Sequence, residues 1–235
     1  MKHLLFAICL VTLMCSNKNV EPYPIPNTET YSLKGSVELL IEKSQLIHLD
    51  ADLNYTVDTI KDNGLTKYYY FNRLLELDST CVIKGDSVFL SKDVYWKSSN
   101  TKSIYSSQFS QNGNKTMETV VIRYKDNIVT KRVCSKSHVK FKSKIQEKWV
   151  NSKIEWMKWT FPMTKGYNEW KFERDSIGFE RKIHVKMGPD LKKKSYTVLI
   201  QYLEWDSLGN WTKRIEYNES DLTGSVVTRQ IKYGK

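Results

Sequence analysis

The sequence predicts an all-β fold, mainly antiparallel, in which β-hairpins follow one another as a meander forming a curved sheet or open barrel with few short helices. Three observations carry this. β-branched and aromatic residues gather in runs such as Ser195 to Trp205, a composition that suits a pleated, half-buried surface. Asp-Ser-x-Gly and Asp-Asn groups divide these runs; Asp bonds to the backbone just ahead of it and Gly accepts a positive φ, so each group is a turn with a mechanism. Helical spacing is weak, and its two best candidates, Val37 to Leu46 and Tyr69 to Leu77, are short and contain β-branched or aromatic residues.

The chain opens Met1-Lys2-His3 and continues from Leu4 to Met14 without a charge, a basic start and an apolar stretch of secretory length. That stretch is too short to span a bilayer. It ends Thr12-Leu13-Met14-Cys15-Ser16-Asn17, which resembles a lipobox, with Met14 where a small residue is usual. The resemblance implies a signal peptide over 1–14 and lipid attachment at Cys15, whose sulfur would carry diacylglycerol and whose amine a further acyl group such as palmitate. Two or three chains hold a protein stably to a membrane. The expected location is the outer membrane of a Gram-negative bacterium, periplasmic or surface-facing, with the membrane as partner. A cleaved soluble protein and an uncleaved anchor are the alternatives, and Cys9 reads as apolar filler. Residues 15–27 are polar and proline-punctuated, a tether to a β-rich domain over 28–235.

Of the 235 residues, 40% are hydrophobic and 27% charged, enough for a sizeable core, and the few Gly and Pro exclude a low-complexity chain. Mean hydropathy of −0.52 excludes a polytopic helical membrane protein. The formal charge is +11. Cys81 and Cys134 either pair, as an oxidising compartment allows, or remain two buried thiols.

Hairpins are expected in order along the body. Asp62-Asn63-Gly64 precedes Leu65 to Tyr68, and Asp126-Asn127 divides Ile122–Lys125 from Ile128–Arg132. Phe172 to Arg174, the turn Asp175-Ser176-Ile177-Gly178 and Phe179 to Ile183 repeat the scheme of Ser195–Trp205, Asp206-Ser207-Leu208-Gly209 and Asn210–Tyr217. A turn from Asn218 to Gly224 leads into Ser225–Tyr233, so that 172–235 forms a run of hairpin repeats.

Catalytic chemistry finds little support. Gly85-Asp86-Ser87-Val88 is similar to the start of a GDSL-type esterase, but the Asp-x-x-His that supplies its base is missing. Outside the signal the histidines are scattered, there is no C-x-x-C, and no phosphate-cradling glycine loop occurs, so no metal, nucleotide or other cofactor is expected. Charge and aromatic rings remain. Lys140, Lys142 and Lys144 alternate, so a strand sets them on one face, as a solvated wall or as contacts for anionic lipid or acidic glycan. Nucleic acid is not an expected partner of an exported protein. Trp156, Trp159 and Trp170 are candidate glycan contacts, and strand alternation turns Trp156 and Trp159 to opposite faces; sheet packing is the simpler use of such rings.

The ends of the body, Leu33-Lys34-Gly35-Ser36-Val37 and Gly209-Asn210-Trp211-Thr212-Lys213-Arg214 with the preceding Trp205-Asp206-Ser207-Leu208, resemble exported lipoproteins of the Bacteroidetes type that carry hairpins similar to YD or RHS repeats. The segment from Cys81 to Trp170 lacks clean units of that repeat. The resemblance implies a β-rich envelope lipoprotein and no known enzymatic activity. Asp followed by Ser or Thr and an apolar residue also recurs, resembling an O-glycosylation acceptor at Thr59, Ser79, Ser87, Ser176 and Ser207, although Asp-Ser is also ordinary turn chemistry. The reading is a cell-envelope lipoprotein acting as a non-catalytic binding or structural β module, with an envelope glycan or another envelope protein as partner. A carbohydrate-binding protein using exposed Trp is the alternative, and a secreted hydrolase with an unrecognised site is the alternative of another class.

Overall fold

A computed structural model describes residues 26–59, 64–84, 87–94, 103–109, 115–135, 142–162, 164–188 and 194–234. They form an all-β protein of fifteen antiparallel strands in one sheet. In chain order these are β1 (Val37–Leu49), β2 (Tyr55–Val57), β3 (Leu65–Phe71), β4 (Leu77–Lys84), β5 (Ser87–Val94), β6 (Ser103–Phe109), β7 (Lys115–Lys125), β8 (Ile128–Ser135), β9 (Lys142–Val150), β10 (Lys153–Phe161), β11 (Gly166–Arg174), β12 (Glu180–Gly188), β13 (Lys194–Trp205), β14 (Trp211–Asn218) and β15 (Thr223–Tyr233). From β3 to β15 each strand pairs with its successor, β3 pairs with β1, and β2 is a short addition to the far end of β1. The sequence predicts a curved sheet or open barrel; the further finding is that β15 pairs with β1 from Val37↔Tyr233 to His48↔Thr223, so the order of pairings returns to its start.

Both expected short helices are strands or turns. Val37 to Leu46 lies in β1, and Tyr69 to Leu77 is the end of β3, a turn and the start of β4. The reason is pairing: Leu40 and Glu42, which helical spacing would set apart, stand on one face of β1 opposite Ile231 and Arg229. Cys81 is a free thiol, so the disulfide with Cys134 is not made. Cys81 is on β4 and Cys134 on β8, four strand spacings apart in the sheet, about 19 Å along the wall, where a disulfide needs α-carbons within about 7 Å.

The repeated turn is more widespread than its sequence suggests. Asp50, Asn72, Asp175 and Asp206 each accept the backbone N–H groups two and four residues ahead. The fourth residue of each turn has positive φ: Leu53, Leu75, Gly178 and Gly209. Sequence alone reveals only the last two, because leucine replaces glycine in the others. The hairpins at Asp126-Asn127 and from Asn218 to Gly224 also form, whereas Asp62 and Asn63 lie outside the described residues.

Residues 26–36 run across the end of the ring that carries the turns at Asn72, Asp175 and Asp206, opposite the end of β1 that leads into Asp50. Pro26 accepts the N–H of Leu77, Thr28 donates to Leu75, Ser32 accepts the ammonium of Lys153 at 3.0 Å, and Lys34 meets Asn210. β4 and β10 are six strands apart in the pairing order, so this segment spans the interior as a plug. Asn210, fully buried, accepts from Lys34 N–H at 2.6 Å and donates to Lys34 C=O at 3.1 Å, pairing with the plug as a strand would. The two end motifs of the sequence therefore meet here.

Asp206 joins turn and plug, because Asn210 and Tyr233 also donate to its carboxylate. Burial opposes its charge, but the bonds from Tyr233, Asn210 and the turn N–H groups outweigh burial and hold its pKa below the ordinary 3.8. Its stabilisation is therefore complete above about pH 4 and is lost as pH falls through the lower folded value. Asp206→Ala is expected to cost about 2–4 kcal/mol in urea unfolding at neutral pH and to lose this acid dependence, whereas Ser207→Ala stays within about 0.5 kcal/mol; equal stability of the two variants would refute the role of Asp206.

Candidate functional site

Register around the sheet assigns the described side chains to one of two faces. Glu42, Arg229, Arg214 and Tyr202 follow one another on one face through cross-strand pairs and close diagonals, and so do Met157, Trp170, Val185 and Tyr196. This is the inner face, since the plug reaches it: Arg229 donates to the carbonyl of Tyr31, whose ring lies 4.9 Å from that of Tyr69. The opposite face carries Lys144, Lys148, Lys171, Glu173, Lys182 and Lys186, all exposed. One outer patch is apolar, where Tyr55, Val57 and Leu222 cover Ile47, Ile215 and Val226.

At the plugged end the inner face holds a charged network. Glu42 accepts Arg229 at 2.8 Å and Tyr69 at 3.1 Å. The Trp211 indole, 1% exposed, has the guanidinium carbon of Arg229 3.5 Å from its ring centroid and that of Arg214 at 4.4 Å. Arg214 pairs with Glu216 and approaches Glu180, which also pairs with Arg174. Burial opposes the charge of Glu42, but Arg229 and Arg214 favour it more, so its pKa is lowered. For Arg229 burial outweighs its neighbours and lowers the pKa; for Arg214 burial is outweighed by Glu216, Tyr202 and Glu180, and the pKa rises. Burial and then Glu42 push the Tyr69 hydroxyl well up. Further round, Lys131 pairs with Glu147, which also accepts the buried Trp149 indole N–H at 3.0 Å.

Towards the other end the inner wall is apolar and only partly covered. Met157, Trp159, Trp170, Phe172 and Ile183 all face inward and are half-buried, with the Trp159 ring 5.1 Å from Phe161. The Trp159 indole N–H and the amide oxygen of its cross-strand partner Asn168 have no hydrogen-bond partner among the described residues. At the mouth between β1 and β13–β15 is a pocket of about 480 Å³ lined by Leu46, His48, Asp58, Tyr196, Val198, Glu216 and their neighbours, a volume within the range of small-molecule sites. His48 Nε2 lies 3.3 Å from Asp58.

The sequence candidates scatter over this framework. Trp159 and Trp170 face inward, while Trp156 faces outward and donates its indole N–H to Glu169 at 3.1 Å. The three therefore form no common platform. Lys144 is exposed on the outer face, Lys142 lies in β9, and Lys140 lies outside the described residues, as does Cys15. Thr59, Ser176 and Ser207 are exposed in turns, Ser79 is half-buried in β4, and Ser87 begins β5. Sequence reasoning missed Glu42, Arg229 and the mouth pocket. Only the alternation of β1 and β15 hints at them, because their pairing joins residues 187 apart.

No family model matches the chain, and no curated protein matches it. Among solved structures, a porin-like protein from Bacteroides uniformis is similar with a TM-score of 0.49 and 9% identity, over 90% of this chain and 100% of that one.

Removing one partner of a buried ion pair strands the other in a poor solvent. Arg229→Ala is expected to destabilise by about 3–5 kcal/mol, and the double change Glu42→Met with Arg229→Met by clearly less, since no charge is then left unpaired. Urea unfolding of the two variants tests this; an Arg229→Ala cost below about 1 kcal/mol would show that the pair is not a clamp.

Proposed function

We propose that the chain is an exported envelope lipoprotein, anchored at Cys15, whose barrel works in water as a non-catalytic binding module. The observation that supports it is the distribution of residue types between the two faces. A barrel wall facing lipid carries an apolar band, and each Lys or Arg at its midplane costs about 2–4 kcal/mol. Here Lys144, Lys148, Lys171, Lys182 and Lys186 stand outside, while Met157, Trp159, Trp170 and Phe172 stand inside. Fourteen ring strands spaced about 4.8 Å make a perimeter of about 67 Å, roughly 21 Å across if round, wider than facing side chains alone fill. The plug closes one end of that space and leaves a cup.

The meeting of Lys34–Gly35 with Asn210 supports kinship with the hairpin-repeat lipoproteins that the chain ends resemble, since one contact uses both of their motifs. A hydrolase is the competing reading, favoured by His48 and Asp58 in one pocket. It lacks a nucleophile poised on the histidine: the hydroxyl of Thr223, the cross-strand partner of His48, donates to Asp221 at 2.6 Å.

Two measurements test the proposal. Radiolabelled palmitate should enter the wild-type protein and not Cys15→Ala, and a chain beginning at Ser16, without the lipid or the apolar stretch Leu4 to Met14, should partition into the aqueous phase on detergent phase separation. Label in Cys15→Ala would overturn the anchor, and partition of the chain beginning at Ser16 into detergent would overturn a barrel that works in water.

A further inference from the structure

The mouth pocket and the apolar inner wall are continuous. Tyr196 and Val198 line the pocket. Across the wall Tyr196 pairs with Val185, Val185 with Trp170 and Trp170 with Met157, while Val198 pairs with Ile183 and Ile183 with Phe172. These pairs share the inner face, giving an unbroken apolar band three strand spacings wide, about 14 Å. Most of its side chains are half-buried although they face the interior. Large apolar groups left accessible inside a water-borne barrel mark a site for an apolar ligand.

The rim constrains the polar end of that ligand. Among the described residues lining the pocket are Asp58 and Glu216 and no Lys or Arg. Asp58 contacts His48, and Glu216 pairs with Arg214 below the rim. Ser225, Asn218 and Thr223 add neutral polar groups. A carboxylate or phosphate there would meet two acids with no Lys or Arg among the described lining residues, whereas hydroxyl groups would find donors and acceptors.

We infer that the band from Tyr196 and Val198 to Met157 holds the hydrocarbon chain of an amphiphile whose neutral, hydroxyl-bearing head group sits at the mouth between His48 and Glu216. This rests on the reading of the barrel as a water-borne binding module and names its ligand class.

The test uses the full chain carrying Cys15→Ala, with methyl-labelled Ile, Leu, Val and Met, titrated with a monoacylglycerol below its aggregation concentration and without detergent. Methyl shifts should concentrate at Val185, Val198, Ile183 and Met157 and spare the outward-facing Leu39 and Ile41. A fatty acid and a lysophospholipid of the same chain length should bind at least fivefold more weakly. Val198→Asp, which sets a charge in the path, should weaken monoacylglycerol binding at least tenfold, while the outward Lys186→Ala leaves it unchanged; the shifts of the chain carrying Cys15→Ala alone decide the matter if Val198→Asp does not fold. Absence of shifts, or shifts confined to outer methyls, would overturn the site, and equal or tighter binding of the anionic amphiphiles would overturn the head-group assignment. A barrel that partitions into water yet shows no shifts sinks this inference alone; one that partitions into detergent sinks the reading beneath it.

Discussion

The ion pair between Arg229 and Glu42 stands at the seam where the last strand meets the first. The two residues are register partners on β15 and β1, and the guanidinium bonds to Glu42 at 2.8 Å. The same guanidinium donates to the Tyr31 carbonyl of the plug and lies against Trp211 of β14. One side chain thus ties the seam, the plug and the adjoining inner wall. A long meander needs such a device. Each hairpin closes locally, but joining β15 to β1 brings together residues separated by most of the chain, and the loop-closure entropy of that step has no local compensation.

Buried charge at that place is costly unless its hydrogen bonds are satisfied, and the network meets most of the demand. Glu42 accepts from both Arg229 and Tyr69, and Trp211 offers its ring to two guanidiniums. The Arg214 Nε remains without a partner. A purely apolar seam would gain more from burial, but β1 could then slip along β15 by two residues with little change in contacts. A paired Glu and Arg penalises every such register, because a slip strands two charges at once.

Much of this architecture was legible in the sequence wherever a strand and its turn are neighbours. The hairpins around Asp175 and Asp206 announce themselves by Asp, Ser and Gly at fixed places. The turns at Asp50 and Asn72 use the same hydrogen bonds but put Leu53 and Leu75 at positive φ, a conformation that leucine does not advertise. Val37 to Leu46 suggests helix because Val37, Leu40 and Ile41 fall at helical spacing, yet a bulge between Val37 and Leu39 resets the alternation and returns Leu40 to the inner face beside Val37. Trp156 and Trp159 could be assigned to opposite faces by parity, but which face is inside depends on the seam. The apolar inner wall and the mouth pocket were hidden for the same reason, since they are set by pairings that no local pattern records.

The two ends of the barrel are unequal, and that inequality gives the cup a direction. Residues 26–36 enter at the end carrying the turns at Asn72, Asp175 and Asp206 and stay there as the plug. The mouth between His48, Val198 and Glu216 lies at the opposite end of β1, β13 and β14. Under the anchor proposed at Cys15, a pull on the chain before residue 26 would fall on the closed end. Such a pull would be borne by backbone bonds from Thr28 to Leu75 and from Leu77 to Pro26 and by the Asn210 clamp on Lys34. A tether leaving from the mouth would cross that opening; leaving from the plug, it would load the most strongly bonded part of the wall and leave the mouth clear.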